Sequence, residues 1–198
     1  MKDWTGNYKS IYTTLGASSH SLTERQPDDY YATDPKAVEL LLEQENFSNN
    51  VWECACGEGH ISKILEEYGY NVRSTDLIYR GFGEEKPVDF LKTDNVNLKT
   101  NIITNPPYKF AQRFVEKAMK SIDNGFKVAM LLKLQFLEGK SRKQMFKKYP
   151  PKIIYVSSSR LKCAKDGNFE KLGSSAVAYA WYVWEKGYSG NTVIDWIN

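Results

Sequence analysis

The sequence has few of the residues that build disulfide frameworks or zinc sites, since only three of its 198 residues are cysteine and two are histidine. An odd cysteine count disfavours a disulfide scaffold, and so small a Cys and His set disfavours a four-ligand zinc site. No apolar run approaches the ~20 residues of a membrane span, and the N-terminal residues lack the apolar stretch of a signal peptide. We therefore expect a cytoplasmic, soluble protein with reduced cysteines, no bound metal and no membrane partner.

The composition is that of a globular protein: 41% of residues are hydrophobic, 26% charged and 14% aromatic. These values exclude a disordered or fibrous chain, and the length fits one domain that can bury its own core. The first ~25 residues are polar and irregular. We expect an N-terminal arm at 1–29, followed by a single domain at 30–198.

A net charge of +3 hides an uneven distribution of charge. Residues 1–108 contain 10 Lys or Arg and 17 Asp or Glu, whereas residues 109–172 contain 16 and 5. An acidic half followed by a basic half indicates two surfaces with different partners. The alternative is that the lysines only solvate helix faces.

Strand-like and helix-like segments alternate along the chain, which is typical of an α/β protein with a mostly parallel sheet between two layers of helices. The last predicted strand follows a connection too short for a crossover helix, so it is expected to be antiparallel. The pattern predicts helices starting at Pro35, at 61–68 and at 109–121. It predicts strands or short strand-like elements at 51–54, 71–75, 88–91, 101–104, 127–132, 153–156 and 177–184.

The first candidate site is a glycine turn between a buried strand and a helix, Glu53-Cys54-Ala55-Cys56-Gly57-Glu58-Gly59. Asp76 ends the next predicted strand, where an acidic residue can bind ribose hydroxyls. The turn has two of the three glycines of a dinucleotide fingerprint, and Glu58 would repel a pyrophosphate. A phosphate-free cation such as S-adenosylmethionine fits better. The alternative is a tight strand–helix turn that binds no ligand.

The second candidate site, Asn105-Pro106-Pro107-Tyr108, directly follows another predicted strand. The prolines fix the backbone and remove two N–H donors, so that a carbonyl and the asparagine amide can accept both hydrogens of an exocyclic amine. The tyrosine offers an aromatic face on which a planar ring can stack. The alternative is a proline turn with a packed tyrosine.

With these two motifs, residues 30–198 resemble the small S-adenosylmethionine-dependent N6-adenine DNA methyltransferases often encoded by phages. The resemblance implies a Rossmann-like class I methyltransferase fold with a seven-stranded sheet, and adenine methylation by direct transfer to a flipped base. It implies a catalytic motif of Asn105, Pro106, Pro107 and Tyr108. It also implies a cofactor site composed of Tyr31, Thr33, Glu53, Ala55, Cys56, Gly57, Gly59, Asp76, Leu77, Asp89, Phe90 and Asn105.

The basic half has no separate target-recognition domain but contains two basic insertions, at about 135–152 and 157–175. Their cations are expected to neutralise phosphates of DNA. The candidate DNA-binding residues are Lys140, Arg142, Lys143, Arg160, Lys162 and Lys165. An rRNA base or a protein glutamine amide as acceptor, or an inactive nucleic-acid-binding module, remain alternatives. Monomer and homodimer are both open.

Overall fold

The computed structural model describes residues 32–159, 161, 163–164 and 177–198. The predicted N-terminal arm, Tyr31, Arg160, Lys162, Lys165 and most of the 157–175 insertion lie outside the described residues.

A seven-stranded sheet forms the centre of the molecule, in the order β3-β2-β4-β5-β8-β6-β9. Only β8 runs antiparallel to its neighbours, and the other pairs are parallel. Its strands are β2 (Asn50–Glu53), β3 (Asn71–Ser74), β4 (Asn101–Thr104), β5 (Lys127–Lys133), β6 (Ile153–Ser157), β8 (Tyr179–Glu185) and β9 (Val193–Ile197). The predicted α/β class and the antiparallel strand near 177–184 are confirmed.

A separate two-stranded antiparallel sheet joins β1 (Ala32–Thr33) to β7 (Cys163–Ala164). In its register Ala32 lies opposite Ala164 and Thr33 opposite Cys163. This short pairing fixes the segment before the first helix to a segment that follows β6.

Helices cover both faces of the large sheet. They are α1 (Pro35–Gln44), α2 (His60–Glu67), α3 (Ala111–Ser121) and α4 (Lys143–Lys148). Asp34 begins α1 because its side chain accepts a hydrogen bond from the Lys36 N–H at 3.1 Å, and Pro35 suits the first helical position. Among the described helices, none is long and apolar enough to cross a membrane.

Two hydrophobic cores lie on the two faces of the sheet. Successive side chains of β8 point to opposite faces of the sheet and so contribute to both cores. Trp181 and Val183 pack with α1 and α2, whereas Tyr182 and Trp184 pack with α3. Full burial of each large side chain contributes about 1.5–3 kcal/mol. Because β2, β3, β4 and β5 run parallel, their carboxyl ends and the polar residues that follow them lie along one edge of the sheet.

Three segments differ from the sequence expectation. The element expected at 88–91 is a 3-10 turn, Phe90–Lys92, and the seventh strand is instead β9 at the far edge, beside β6. Strand β9 was not predicted because Ile197 is its only buried residue, so it has no clear apolar alternation. The 135–152 insertion is folded into 3-10 turns at Leu134–Leu137 and Lys140–Arg142, followed by α4.

Candidate active site

A cavity of about 500 Å³ lies at the carboxyl ends of β2, β3 and β4. Both sequence motifs reach it, which places the glycine turn and the Asn-Pro-Pro-Tyr segment at one site. The predicted residues that line it are Thr33, Glu53, Ala55, Cys56, Asp76, Leu77, Asp89, Phe90, Asn105, Pro106, Pro107 and Tyr108. Gly57 and Gly59 form the adjoining turn.

The glycine turn depends on backbone that other residues rarely adopt. Gly57 has φ 55° and Gly59 has φ 82°. A Cβ at Gly59 would also lie 2.4 Å from the ring of Phe82. Glycine is therefore favoured here both by the left-handed backbone and by the lack of space for a side chain. Phe82, which packs on this turn, was not among the residues predicted from the sequence.

Glu53 is buried, with 2% of its surface exposed, and it fastens the start of α2. Its Oε2 accepts hydrogen bonds from the Ser62 N–H at 2.8 Å and from the Ser62 hydroxyl. Ser62 Oγ in turn lies 2.7 Å from Ser74 Oγ at the end of β3. Burial raises the pKa of the Glu53 carboxyl well above its usual value. Through these hydrogen bonds the Glu53 carboxyl group, at the end of β2, connects the start of α2 to the end of β3.

The Asp76 carboxylate accepts hydrogen bonds from the glycine turn and from the loop that follows β3. Its Oδ2 accepts from the Gly57 N–H at 2.8 Å, and its Oδ1 accepts from the Ile78 N–H at 3.0 Å and from Arg80 Nη1 at 3.3 Å. A carboxylate offers about four lone-pair positions, so these three bonds leave capacity for a ligand hydroxyl. Arg80, which also lines the cavity, was missed in the sequence.

Asp89 and Phe90 form the next part of the wall. Asp89 begins the 3-10 turn by accepting from the Leu91 N–H at 3.1 Å, and it pairs with Lys92 Nζ at 3.1 Å. Phe90 is buried between the rings of Trp52 and Phe114, at 5.2 and 5.1 Å. At the rim, by contrast, Leu77 is 58% exposed beside the polar wall.

Asn105 follows β4 directly and has an oriented side chain. Its Nδ2 donates a hydrogen bond to Thr33 Oγ1 at 3.0 Å, across 72 residues of sequence. Thr33 is buried and is held in β1 by the pairing with β7. In this arrangement Nδ2 faces Thr33, the amide plane is fixed by the bond, and Oδ1 lies on the other branch of the amide, where it can act only as an acceptor.

The ring of Tyr108 is half-buried at the other end of the cavity. It lies 6.1 Å from the Tyr179 ring, and Lys133 Nζ lies 4.8 Å above it. Lys109 and Arg113 also line this end, next to the ring of Phe110. None of these three cations was predicted from the sequence. A single Lys or Arg in a strand end or a helix has the same pattern as any solvent-exposed residue.

The cysteines of the turn are buried free thiols. Burial raises the pKa of Cys54 well above its usual value, and burial with the nearby Glu53 and Asp76 raises the pKa of Cys56 to about 12. Both thiols therefore stay protonated at neutral pH and are poor nucleophiles. Within the described ranges, no group of three or more His, Cys, Asp or Glu is arranged to hold a metal ion.

Three of the predicted DNA-binding cations are described, and they differ in environment. Lys140 and Lys143 are exposed. Arg142 instead donates to the backbone carbonyls of Phe136, at 2.7 Å, and of Glu138. Its guanidinium is thus engaged in holding the turn after β5.

No protein-family model and no curated protein sequence matches this chain. Solved structures do. A Listeria monocytogenes protein assigned as a class I S-adenosylmethionine-dependent methyltransferase has a TM-score of 0.58 at 13% identity, covering 95% of this chain and 71% of its own. A Pyrococcus horikoshii protein assigned as an RNA methyltransferase has a TM-score of 0.57 at 14% identity, covering 91% and 98%.

A modification subunit assigned to a type I restriction enzyme of Vibrio vulnificus is similar to the same degree, with a TM-score of 0.57 at 12% identity. The match covers 93% of this chain and 49% of that subunit, so this chain spans about half its length. These similarities, together with the strand order, show that the fold is the Rossmann-like fold of class I methyltransferases.

Proposed function

We propose that this protein transfers a methyl group from S-adenosylmethionine to the exocyclic N6 amine of adenine in DNA. The observation that carries the proposal is the Asn105 amide, which Thr33 orients in a cavity that also contains Asp76 and Tyr108. An amine acceptor, a nucleoside-binding carboxylate and an aromatic platform are thus combined in one site.

The residues of the glycine turn fit a phosphate-free nucleoside better than a dinucleotide. The N–H groups at the start of a helix are the usual site for a pyrophosphate, but here Glu53 accepts from the Ser62 N–H in the first turn of α2. Asp76 retains acceptor capacity for ribose hydroxyls, and Asp89 lies on the same wall for an adenine amine. When bound, S-adenosylmethionine supplies an electrophilic methyl group on a sulfonium.

On the target side, the chain would act by accepting hydrogen bonds. The adenine N6 is a poor nucleophile because its lone pair is delocalised into the ring. Asn105 Oδ1 and the Pro106 carbonyl would accept hydrogen bonds from its two N–H groups, which favours a pyramidal nitrogen and stabilises the positive charge that develops as the N–C bond forms and the C–S bond of the sulfonium breaks. One N6 proton would then leave to water, giving neutral N6-methyladenine and the thioether product of the cofactor. Tyr108 would stack on the base, which must leave the duplex to reach the site.

Nucleic acid is favoured over a peptide as acceptor by the cations at the target end. Lys109, Arg113 and Lys133 surround Tyr108 and Phe110, and Lys140 and Lys143 extend the positive surface beyond β5. Cations in this arrangement neutralise phosphates and make binding depend on salt. The resemblance to adenine methyltransferases selects DNA, and RNA becomes an outcome of the test.

The test is transfer of a labelled methyl group to unmethylated DNA, to ribosomal RNA and to a protein fraction, followed by digestion and identification of the labelled nucleoside or amino acid. We expect label in DNA as N6-methyladenine, and none in DNA whose adenines are already methylated. Label in RNA or in a glutamine amide would replace the proposed acceptor and keep the donor. Absence of transfer to all three would contradict the proposal.

A further inference from the structure

Lys133, the last residue of β5, lies on the aromatic ring of the proposed target site. Its side chain is half-buried, and Nζ is 4.8 Å from the centre of the Tyr108 ring. No carboxylate of the described residues pairs with this ammonium, whereas Lys92, Lys127 and Lys152 each pair with one. A partly desolvated cation is thus placed on a ring without an anionic partner.

The backbone around Lys133 is held firmly, so this placement follows from the fold. Lys133 is in register with Tyr179 on β8, and the next residue, Leu134, donates its N–H to the Ala178 carbonyl at 2.9 Å. The turn that follows is held by Arg142, whose Nε donates to the Phe136 carbonyl at 2.7 Å. The side chain of Lys133 extends from this hydrogen-bonded backbone to the Tyr108 ring.

We propose that Lys133 is a positioning residue that covers the Tyr108 ring until the target base arrives and then binds the phosphate next to that base. The inference rests on the proposed function. Capture of the base on the ring face that Lys133 covers displaces the ammonium, because a stacked base and an ammonium cannot share one face. Within the part of the chain that the structure describes, no carboxylate pairs with Lys133, and the flipped nucleotide brings a phosphate within reach of its flexible stem.

This exchange makes two events depend on each other. The base gains the ring only when the ammonium leaves, and the ammonium is stabilised away from the ring by the phosphate that arrives with the base. Lys133 therefore favours a base attached to a charged backbone over a free base or nucleoside.

The experiment measures DNA affinity as a function of salt for Lys133→Met, which keeps the length of the side chain and removes its charge. Lys120→Met is the matched control, because Lys120 is an exposed lysine in the last turn of α3 and does not line the cavity. We expect the log–log slope to fall by ~0.9 in Lys133→Met, as for one lost phosphate contact, and to be unchanged in Lys120→Met. Lys133→Arg should restore the slope.

A second measurement locates the phosphate. A duplex with a neutral methylphosphonate next to the target adenine should bind the wild-type protein about tenfold more weakly, as expected for loss of a charged contact. It should cause no further loss in Lys133→Met. Circular dichroism and S-adenosylmethionine affinity check that the variant is folded.

An unchanged salt slope in Lys133→Met, or a full methylphosphonate penalty in that variant, would overturn the inference. DNA methylation with either result leaves the proposed function standing while the role of Lys133 fails. If DNA binds with the expected slopes but is not methylated, the phosphate contact of Lys133 stands and the proposed methylation of DNA fails. Absence of DNA binding by the wild-type protein would refute the inference outright.

Discussion

The two ends of the cavity differ in how their polar groups are held. At the end proposed to bind the cofactor (the cofactor end), Glu53, Asp76 and Asp89 each accept a hydrogen bond from a backbone N–H of the protein. At the end proposed to bind the target base (the target end), Asn105 is oriented by the side chain of Thr33, and the ring of Tyr108 lies under the ammonium of Lys133. The carboxylates of the first end are thus bonded to the protein backbone, whereas the second end is held by contacts between side chains.

This difference predicts different consequences of substitution. Residues of the cofactor end should change stability and cofactor affinity together, because their bonds also connect strands and helices. Residues of the target end should change methyl transfer or DNA binding and leave stability and cofactor affinity nearly intact.

The largest effect is expected for Asn105→Ala, which removes the acceptor for the amine. Since this acceptor acts on charge that develops during transfer, the rate should fall by about 10²–10³-fold. Cofactor affinity, measured by calorimetry, should stay within about twofold. A matching loss of cofactor affinity would show that the two ends are not independent.

Gly59→Ala tests how deeply the glycine turn belongs to the fold, with Gly69→Ala as its control. The two glycines have φ 82° and 85°, but only Gly59 has a neighbour, Phe82, in the way of a Cβ. Both variants should lose about 1–2 kcal/mol of unfolding free energy from the left-handed backbone. Gly59→Ala should lose about 1–3 kcal/mol more from the contact with the ring. Equal losses in urea titrations would contradict the role of Phe82.

Asp76→Ala should weaken S-adenosylmethionine binding by about 1–3 kcal/mol, because a buried hydrogen bond to the ribose is lost. The Gly57 N–H would lose its partner as well, so thermal stability should fall too. Glu84→Ala is the control, since Glu84 is an exposed carboxylate paired with Arg73 outside the cavity. Unchanged cofactor affinity in Asp76→Ala would remove Asp76 from the site.

The smallest effect, for a change of one pH unit, is expected in the pH dependence of the unfolding free energy. Because burial raises the pKa of Glu53, the folded state holds this proton more tightly than the unfolded state, whose carboxyl titrates near 4.5. Unfolding free energy should therefore fall as pH rises from there towards the folded pKa, by up to about 1.4 kcal/mol per pH unit. Glu53→Gln lacks this titration, so its stability relative to wild type should improve as pH rises. Parallel pH profiles would contradict a raised pKa.

The parts of the site that were visible in the sequence are those with local causes. A buried strand followed by Gly57 and Gly59 indicates a tight turn wherever it occurs, and the two prolines after Asn105 restrict the backbone without outside help. Strand β8 was visible because large apolar residues line both of its faces.

Features that depend on distant partners were not visible. The bond of Ser62 to Glu53 and the place of Phe82 on Gly59 arise only when β2, α2 and the loop after β3 pack together. The prediction that Arg142 binds DNA came from the basic segment that contains it, whereas its hydrogen bond to the Phe136 carbonyl depends on the turn after β5 and was not visible. Strand β9 lacked a pattern since Trp196, like most of the strand, is exposed.

The bond between Thr33 and Asn105 also has a consequence for how the protein is made. Thr33 takes its place by pairing with Cys163, far along the chain, whereas β2, α2 and β3 are contiguous in sequence. Closing long loops is entropically unfavourable until the contacts that they bring together can form. A chain emerging from the ribosome can therefore pair β2 with β3 early, but the Asn105 amide is oriented only after the segment beyond β6 has been synthesised. If Asn105 has the proposed role, incomplete chains should be inactive, and methyl transfer should report that folding is complete.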